Sequence, residues 1–327
     1  MRRRSLITLL GGAAALPGVA HAQQPAIPVI GFLSGASPTP FAHLVAAFRQ
    51  GLSETGFIDG QNVAVEYRWA EGRFDRLPAM ATDLVQRQVA VLVATGGDRS
   101  AIAAKAATST IPIVFSSGGD PVANGLVASL SRPGGNLTGV SLFTTLLEAK
   151  RLGLLREAVP SAATLAFLVN PGSPDAQASM MRDAENGARR AGVRLVVVKA
   201  QADSEFEAAF ASLVQQRANA LAVGTGAFFN SQRERLVALA ARHKLPAIYE
   251  FREFAVAGGL MSYGTHLGEM YRQIGVYTGR ILKGAKPGDL PVVQPTRFEL
   301  VINLKTAKAL GRTIPQSLLL RADEVIQ

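Results

Sequence analysis

The sequence predicts an α/β protein made of two doubly wound, Rossmann-like lobes with parallel sheets, joined by a hinge. From residue 28 onward, short apolar runs rich in β-branched residues alternate with segments of helical periodicity. Such alternation is typical of parallel strands that helices cover on both faces. About ten strand candidates are present, and open sheets of that size tend to split into two. The length of 327 residues also suits two domains.

A first lobe is predicted over residues 26–143. Thr39 suits an N-cap with Pro40 at the first helical position, and Gly56 ends the helix that follows. The same unit of a strand followed by a helix then repeats along the lobe. The predicted strands cover residues 29–33, 63–69, 89–95, 113–116 and 138–143, and helices follow the first three, over 40–56, 77–85 and 100–107.

The series restarts in a second lobe over residues 144–265, where helices and strands again alternate. An amphipathic helix within about 266–290 then returns to the first lobe, so that crossings near Thr144 and Thr265 form a hinge. Residues 291–327 form a tail strand and helix whose lobe the sequence leaves open. The second-lobe helices are predicted over 146–159, 176–191, 205–216 and 232–243, and its strands over 165–170, 193–199, 220–224 and 247–249.

The first 22 residues have the three parts of a cleavable signal peptide. Three arginines at positions 2–4 precede an apolar stretch, and the run Ala20, His21, Ala22 is a small-x-small cleavage site. The apolar stretch is broken by glycine and proline and is too short to span a membrane. We therefore expect cleavage near Ala22 and a periplasmic location. The adjacent arginines leave both the general and the twin-arginine export routes open.

Composition narrows the function classes further. The chain has no cysteine, which excludes a disulfide framework, a thiol nucleophile and a lipid anchor at the cleavage site. The net charge of +10 is dispersed, and no basic run indicates nucleic-acid binding. We expect a monomer that is not anchored by lipid and that binds no nucleic acid and no cofactor.

Candidate ligand-binding residues follow the predicted strands, because ligands of doubly wound sheets bind outside the carboxyl ends of the strands. Small hydroxyls and glycines let backbone amides approach a ligand, and the helix N-terminus after Gly97 favours an anionic group such as a carboxylate. The candidates are Ser34, Thr95, Gly96, Gly97, Ser116, Ser117 and Asp120 in the first lobe, and Asn170, Thr225, Phe228, Tyr249, Glu250 and Tyr263 in the second.

Each candidate also has a purely structural interpretation. Serine, threonine and glycine after a strand commonly form caps and turns, and aromatic residues more often belong to the core. Asp120 suits an N-cap before Pro121. Glu250 is more informative, since a carboxylate straight after an apolar strand needs a partner. That partner is either a ligand ammonium or Arg252.

Catalytic and metal-binding patterns are largely absent from the sequence. The histidines have no metal-ligand spacing, and there is no Gly-x-Ser-x-Gly elbow, Walker loop or Gly-x-Gly-x-x-Gly motif. We therefore assign no catalytic residue and no metal ligand, and expect a protein that is not an enzyme.

Four stretches carry a resemblance to a known family. The chain resembles the ABC-transporter substrate-binding proteins that include the tryptophan- and tyrosine-importer type, with a type I periplasmic-binding-protein fold. The stretches are FRQGLSETGFIDGQNVAVEYRWAEG at 48–72, IPIVFSSGGDPVANGLVASLSRPGGNLTG at 111–139, GGLMSYG at 258–264 and FELVINLKTAKALGRTIP at 298–315.

The resemblance implies a receptor that closes on a small solute, an amino acid or aromatic acid, and delivers it to an inner-membrane ABC permease and its ATPase. It places a ligand carboxylate at residues 95–97 and 116–118, and a ligand ammonium at Glu250. Asn170 and Thr225 would face them from the other lobe. The Gly-Gly-Asp that follows Thr95 differs from the Thr-Pro-Ala character of tryptophan-binding members, so the ligand stays open.

Two other functions fit the same pattern. The first is an exported two-lobed enzyme, a transferase or hydrolase, with Glu250 or Asp120 as general base. The second is a sensory receptor that passes its ligand signal to a membrane kinase. Turnover of the bound compound distinguishes the enzyme, whereas only the identity of the membrane partner separates sensing from transport.

Overall fold

The computed structural model describes residues 27–171 and 174–327. The first lobe contains a five-stranded parallel sheet in the order β2-β1-β3-β4-β5. Helices α1 (Ala42–Glu54), α2 (Leu77–Gln86) and α3 (Asp98–Ala107) cover this sheet. Its edge strand β2 is half-buried, whereas the other strands are almost wholly buried. The strands are β1 (Val29–Ser34), β2 (Ala64–Trp69), β3 (Val91–Thr95), β4 (Ile113–Ser117) and β5 (Leu137–Ser141).

The second lobe continues the alternation of helices and strands. Its strands up to the return crossing are β6 (Thr164–Val169), β7 (Arg194–Lys199), β8 (Ala220–Val223), β9 (Ala247–Tyr249) and β10 (Met261–Thr265). Its helices are α4 (Glu148–Ala158), α5 (Pro174–Ala191), α6 (Phe206–Gln215), α7 (Ala227–Ser231), α8 (Arg233–Arg242) and α9 (Arg252–Val256).

The chain then returns to the first lobe and crosses once more. Helix α10 (Leu267–Leu282) packs against α1 so closely that a Cβ on Gly275 would lie 2.1 Å from the Phe48 carbonyl oxygen. The tail crosses back and adds β11 (Phe298–Asn303), α11 (Leu304–Ala309), α12 (Gln316–Leu319) and β12 (Glu324–Ile326) to the second lobe. The second sheet therefore has seven strands in the order β12-β11-β10-β9-β8-β6-β7.

Three details differ from the sequence prediction. Helix α1 begins at Ala42, and neither Thr39 nor Pro40 caps it, because residues 38–41 form a separate turn. Strand β10 occupies the segment that the sequence treated as a crossing. It pairs antiparallel with β11, so the second sheet is not wholly parallel. The glycine-rich segment before β10 hides the strand from a pattern based on apolar runs.

Two segments of the hinge run side by side. The Thr265 hydroxyl donates a hydrogen bond to the Leu142 carbonyl oxygen across 3.4 Å, and this contact joins the two crossings. Phe143 has a left-handed backbone with φ of 48°, which is unusual for a residue with a side chain. The strain is located at the point where the chain changes lobe, as is common for hinge and switch positions.

The predicted signal peptide lies outside the described residues. Within those ranges, none of the helices combines the length and the hydropathy that a membrane crossing needs.

Candidate functional site

A cleft lies between the lobes, where the carboxyl ends of the strands of both sheets face each other. It has two connected compartments of about 700 Å³ and 440 Å³, the part open to solvent included. Both compartments are lined by Gly96, Gly97, Gly118, Thr225, Gly226 and Ala227.

The smaller compartment, here called the hinge compartment, lies against the segments that cross between the lobes. Polar groups line it, together with apolar side chains that include Leu142 and Leu267. Its further lining residues are Phe41, Ser116, Thr144, Asn230, Glu250, Phe251 and Tyr271. This compartment can therefore hold the charged or polar part of a small molecule.

The larger compartment, here called the outer compartment, has an apolar wall on the side of the second lobe. The rings of Phe228 and Phe229 lie 5.4 Å apart, and Met180 completes that wall beside Asn170. On the first-lobe side, the Arg99 guanidinium lies 4.8 Å over the Phe74 ring, a cation–π arrangement. Such a compartment suits the apolar or ring-bearing part of a ligand.

Two glycines bring the backbone to the ligand space. Gly96 and Gly97 have φ values of 74° and 106°, which side chains disfavour, and they lead directly from β3 into α3. A Cβ on Gly96 would lie 2.8 Å from the Ser34 hydroxyl oxygen. The tight turn presents the amides at the start of α3 to the cleft, where an anionic group is stabilised.

Asp98 follows these glycines and engages the neighbouring loop. Its carboxylate accepts hydrogen bonds from the Gly118 amide at 2.9 Å and from the Asn124 side-chain amide at 3.0 Å. Desolvation raises the pKa of Asp98, although these hydrogen bonds oppose the shift. The Gly118 amide is thereby already used within the protein, which leaves the start of α3 as the better position for a ligand anion.

Glu250 lies on the second-lobe wall and is 4% exposed. Its Oε2 accepts a hydrogen bond from the Gly226 amide at 3.1 Å. Burial raises the pKa of Glu250, while Arg151, the Thr144 hydroxyl and the Gly226 amide act in the opposite direction. Arg252, the structural partner considered from the sequence, forms ion pairs with Glu299 and Glu324 instead.

An ion pair that sequence reasoning did not single out lies behind Glu250. Arg151 and Glu148 are both 0% exposed, and Arg151 Nη1 lies 2.7 Å from Glu148 Oε1. The arginine also donates to the Tyr263 carbonyl at 2.9 Å and to the Thr144 carbonyl at 3.1 Å, so it joins the two crossings of the hinge. Desolvation raises the pKa of Glu148 to about 7 even though Arg151 lowers it.

The structure brings together about half of the candidates predicted from the sequence. Their contact with a ligand remains a prediction, but their positions around one cleft are now known. The candidates that line the cleft are Gly96, Gly97, Ser116, Asn170, Thr225, Phe228 and Glu250.

Four of the remaining candidates stabilise the loops or cores beside the cleft and do not line it. Ser34 accepts a hydrogen bond from the Ala36 amide, and Ser117 donates one to the Gly119 carbonyl. Thr95 is 0% exposed at the end of β3. Tyr249 stacks on Phe254 at 4.6 Å in the core.

The last two candidates also lie outside the cleft. Asp120 caps the following turn, where its carboxylate accepts from the Val122 amide at 2.8 Å, as its structural interpretation predicted. The Tyr263 ring lies against Phe298, 6.2 Å away, on the other face of the sheet. The place of a residue in or just after a strand predicted that it lies near the edge of the sheet where ligands bind. It did not predict the direction of the side chain.

Several lining residues had no signal strong enough to be chosen from the sequence. Phe74 follows the edge strand β2 and Tyr271 lies within α10, and the sequence pattern predicted no ligand contact for either segment. Among the residues that the structure describes, no group of three or more histidines or acids could hold a metal ion. The missed lining residues include Phe41, Phe74, Asp98, Arg99, Thr144, Thr145, Met180, Asn230 and Tyr271.

The rim of the cleft holds the lobes together. Arg233 of the second lobe donates to the Pro40 carbonyl at 3.1 Å, and His43 of α1 lies 3.3 Å from the Glu253 carboxylate of α9. A Cβ placed on Gly72 would lie 3.4 Å from the Phe228 ring, so the lobes also approach closely at the outer compartment.

Two doubly wound lobes, crossing segments between them and a cleft lined by both lobes define a binding protein of the periplasmic-binding-protein type I fold. A family model described as ABC transporter substrate binding protein matches residues 26–326. The chain belongs to this family of substrate-binding proteins.

Similar proteins bind aromatic amino acids or share the whole architecture. A tyrosine-binding protein from Clostridioides difficile (strain R20291) is 27% identical over 263 residues, which is 80% of this chain and 75% of the relative. A conserved domain protein from Vibrio cholerae is 26% identical with a TM-score of 0.83, covering 91% of this chain and 99% of that one.

Two further solved structures differ in their ligand state. An ABC domain in complex with L-Trp from Streptococcus pneumonia has a TM-score of 0.80 at 25% identity, covering 91% of this chain and all of that one, 100%. A ligand-free, open substrate-binding protein with adhesive properties from Clostridium difficile has a TM-score of 0.64 at 25% identity, covering 92% and 100%. The rim contacts of this chain hold its two lobes close together, an arrangement here called closed.

Proposed function

We propose that this protein is the solute-binding receptor of an ABC importer and holds a small carboxylate-bearing molecule, an amino acid or an aromatic acid, between its lobes. The observation that carries the proposal is the division of the cleft into a hinge compartment that contains Glu250 and an aromatic outer compartment. The relatives described as tyrosine-binding and as an L-Trp complex support the same ligand class.

The geometry suggests one orientation for such a ligand. A carboxylate would lie at the Gly96 and Gly97 turn, where the start of α3 favours negative charge. An ammonium group would lie at Glu250, and an aromatic side chain would extend towards Phe228 in the outer compartment. Taken together, the three groups would contact both lobes, so the ligand would stabilise the closed arrangement by its differential affinity for it.

The partner and the location belong to the same proposal. The closed, loaded receptor would dock on an inner-membrane permease powered by an ATPase, and would act as a monomer in the periplasm after cleavage near Ala22. No catalysis is required of it: the bound compound would be released unchanged. The absence of cysteine at the cleavage site supports a receptor without a lipid anchor.

A thermal-shift screen against L-tryptophan, L-tyrosine, other amino acids and aromatic acids tests the ligand class. A ligand at a hundredfold excess over its Kd should stabilise the fold by about 2.7 kcal/mol and raise the melting temperature by several degrees. The hit should then be recovered unchanged after prolonged incubation. No hit at millimolar concentrations would contradict the receptor function, and turnover would favour the exported enzyme instead.

Pull-down of the exported protein with candidate membrane partners tests the importer role. Co-purification of a permease and its ATPase is the expected result. Association with a membrane kinase in their place would assign the protein to sensing.

A further inference from the structure

Behind the cleft lies a buried cluster that contains two carboxyl groups and one guanidinium. The cluster lacks one positive charge when all three groups are ionised. Glu148, Arg151 and Glu250 are 0%, 0% and 4% exposed, so all three have lost most of their hydration. Arg151 pairs with Glu148 and also lowers the pKa of Glu250, so one guanidinium acts on two buried carboxylates in a region where an unpaired charge is costly. The missing charge must come from a proton or from a cation in the cleft.

The neighbouring groups do not supply that charge. From α5, Asp183 acts on Glu148 and raises its pKa further, and Asp183 itself accepts the Ala149 amide at 2.9 Å. From α9, Glu253 acts on Glu250 in the same direction, and it pairs with His43 across the rim.

The remaining groups that face Glu250 are neutral. The Gly226 amide donates to its carboxylate, and the nearby Thr144 hydroxyl also lowers its pKa. Tyr271 of α10 faces the hinge compartment as a phenol, and burial raises its pKa to about 12. Only Glu250 of the two carboxylates lines the cleft, so a cation that enters the cleft can complete the charge balance there.

We propose that the ligand binds as a cation at Glu250, and that its binding expels one proton that the pair of carboxyl groups, Glu148 and Glu250, holds in the ligand-free protein. The O–H bond of the protonated carboxyl group breaks, the proton passes to bulk water, and the ligand amine keeps its own protons. Glu148 and Arg151 are then positioning residues that set the charge of Glu250 without touching the ligand. This inference rests on the proposed function, since it concerns the same cleft.

Proton release measured by titration calorimetry tests the proposal with L-tyrosine and L-tryptophan as probes. Paired buffers of different ionisation enthalpy should reveal close to one proton released at about pH 6 and almost none at about pH 8.5, because that proton is already lost there. The affinity should rise up to about tenfold per pH unit below neutrality and level off above it.

Two variants distinguish the coupling between ligand binding and proton release from a general effect on the fold. In Glu148→Gln, Arg151 and Glu250 balance each other, so proton release should disappear and the pH dependence of binding should flatten. The matched control Glu234→Gln changes an exposed glutamate of α8 and should behave as wild type. Equal proton release in wild type and Glu148→Gln would overturn the proposal. Binding of the probes to both proteins would still support the receptor function.

Analogues without the amine test the cation directly. The compounds 3-(4-hydroxyphenyl)propionate and indole-3-propionate should bind at least about tenfold more weakly than the amino acids. Equal affinity would refute the cation requirement while still supporting a receptor for carboxylates.

Infrared spectroscopy of the ligand-free protein provides a readout that needs no ligand at all. A protonated carboxylic-acid band should lose intensity between about pH 6 and about pH 8.5 in wild type, and this change should be missing in Glu148→Gln. An equal change of the band in wild type and variant would contradict a proton held by this pair of carboxyl groups, even if none of the probes bound.

Discussion

Arg151 is the residue on which the charge of the ligand site depends. It is fully buried, and it contacts Glu148, the Thr144 carbonyl and the Tyr263 carbonyl at once. Removal of one partner of a buried pair leaves an uncompensated charge, which typically costs several kcal/mol. Its position therefore serves both the hinge and the electrostatics of the cleft.

The buried carboxyl of Glu148 makes stability depend on pH. Its pKa of about 7 in the folded protein lies above the ordinary value of 4.5, so the folded state holds the proton more tightly than the unfolded state does. This contribution is fully present below the ordinary pKa and is lost as the pH rises through about 7. It amounts to at most about 3 kcal/mol.

Urea unfolding of the ligand-free protein between pH 4.5 and 7.5 measures this effect. Wild type should lose stability over that window relative to Glu148→Gln, which cannot titrate. Parallel stability curves for the two proteins would contradict the raised pKa of Glu148.

Glu250 should determine affinity with little effect on the fold. Glu250→Gln keeps an oxygen that can accept from the Gly226 amide but removes the charge that faces the cleft. We expect ligand binding at least about tenfold weaker, ~1.4 kcal/mol, with a nearly unchanged melting temperature of the ligand-free protein.

The matched control for Glu250 is Asp120→Asn. Asp120 also follows a strand but caps a turn outside the cleft, so its amide variant should bind normally. Equal losses of affinity in both variants would remove the special role of Glu250.

At the scale of elements, the contact between α1 and α10 fixes the returning helix on the first lobe. Gly51 and Gly275 allow the two backbones to touch: a Cβ on Gly51 would lie 1.9 Å from the Arg272 carbonyl oxygen. Tyr271 and Leu267 of α10 line the hinge compartment, so this packing also positions one wall of the site.

Gly275→Ala should therefore destabilise the first lobe. The added methyl group would lie 2.1 Å from the Phe48 carbonyl oxygen, which forces the helices apart at a cost of about 1–3 kcal/mol. Chemical denaturation measures the loss in the free energy of unfolding.

Gly153→Ala in α4 is the control for that substitution. No atom lies within 4 Å of its added Cβ, so the change should be neutral or stabilising by up to about 1 kcal/mol. A Gly275→Ala protein as stable as Gly153→Ala would show that α10 packs more loosely against α1 than the structure has it.

At the scale of the whole molecule, closure of the lobes depends on contacts at the rim. The hydrogen bond from Arg233 to the Pro40 carbonyl is made only when the lobes approach each other. Arg233→Ala should weaken the closed state and speed ligand dissociation about two- to tenfold, since one hydrogen bond contributes ~0.5–1.5 kcal/mol. Stopped-flow measurement of the dissociation rate checks this expectation.

Arg242→Ala serves as the comparison for closure. Arg242 pairs with Glu207 inside the second lobe, so its loss should leave ligand dissociation unchanged. Small-angle scattering of the ligand-free proteins should also show a larger radius for Arg233→Ala. Identical radii and dissociation rates for the two variants would mean that the Arg233 contact does not hold the cleft shut.

The sequence alone determined the two-lobed α/β class, the family and the loops that meet at the cleft. Periodic apolar runs report local structure, and the carboxyl ends of parallel strands necessarily share one edge. Gly96, Gly97 and Glu250 were found in this way, because the two glycines follow β3 in succession and Glu250 directly follows β9.

Only the tertiary structure decided which side chains face the ligand and how their charges are balanced. Tyr263 turns to the far face of its sheet, whereas Phe74 and Tyr271, for which the sequence predicted no ligand contact, line the cleft. Glu148 and Arg151 are ordinary residues of a helix in sequence, and their burial behind Glu250 gives them their role. Side-chain direction, burial and charge balance depend on contacts between segments far apart in the chain, and local patterns do not contain those contacts.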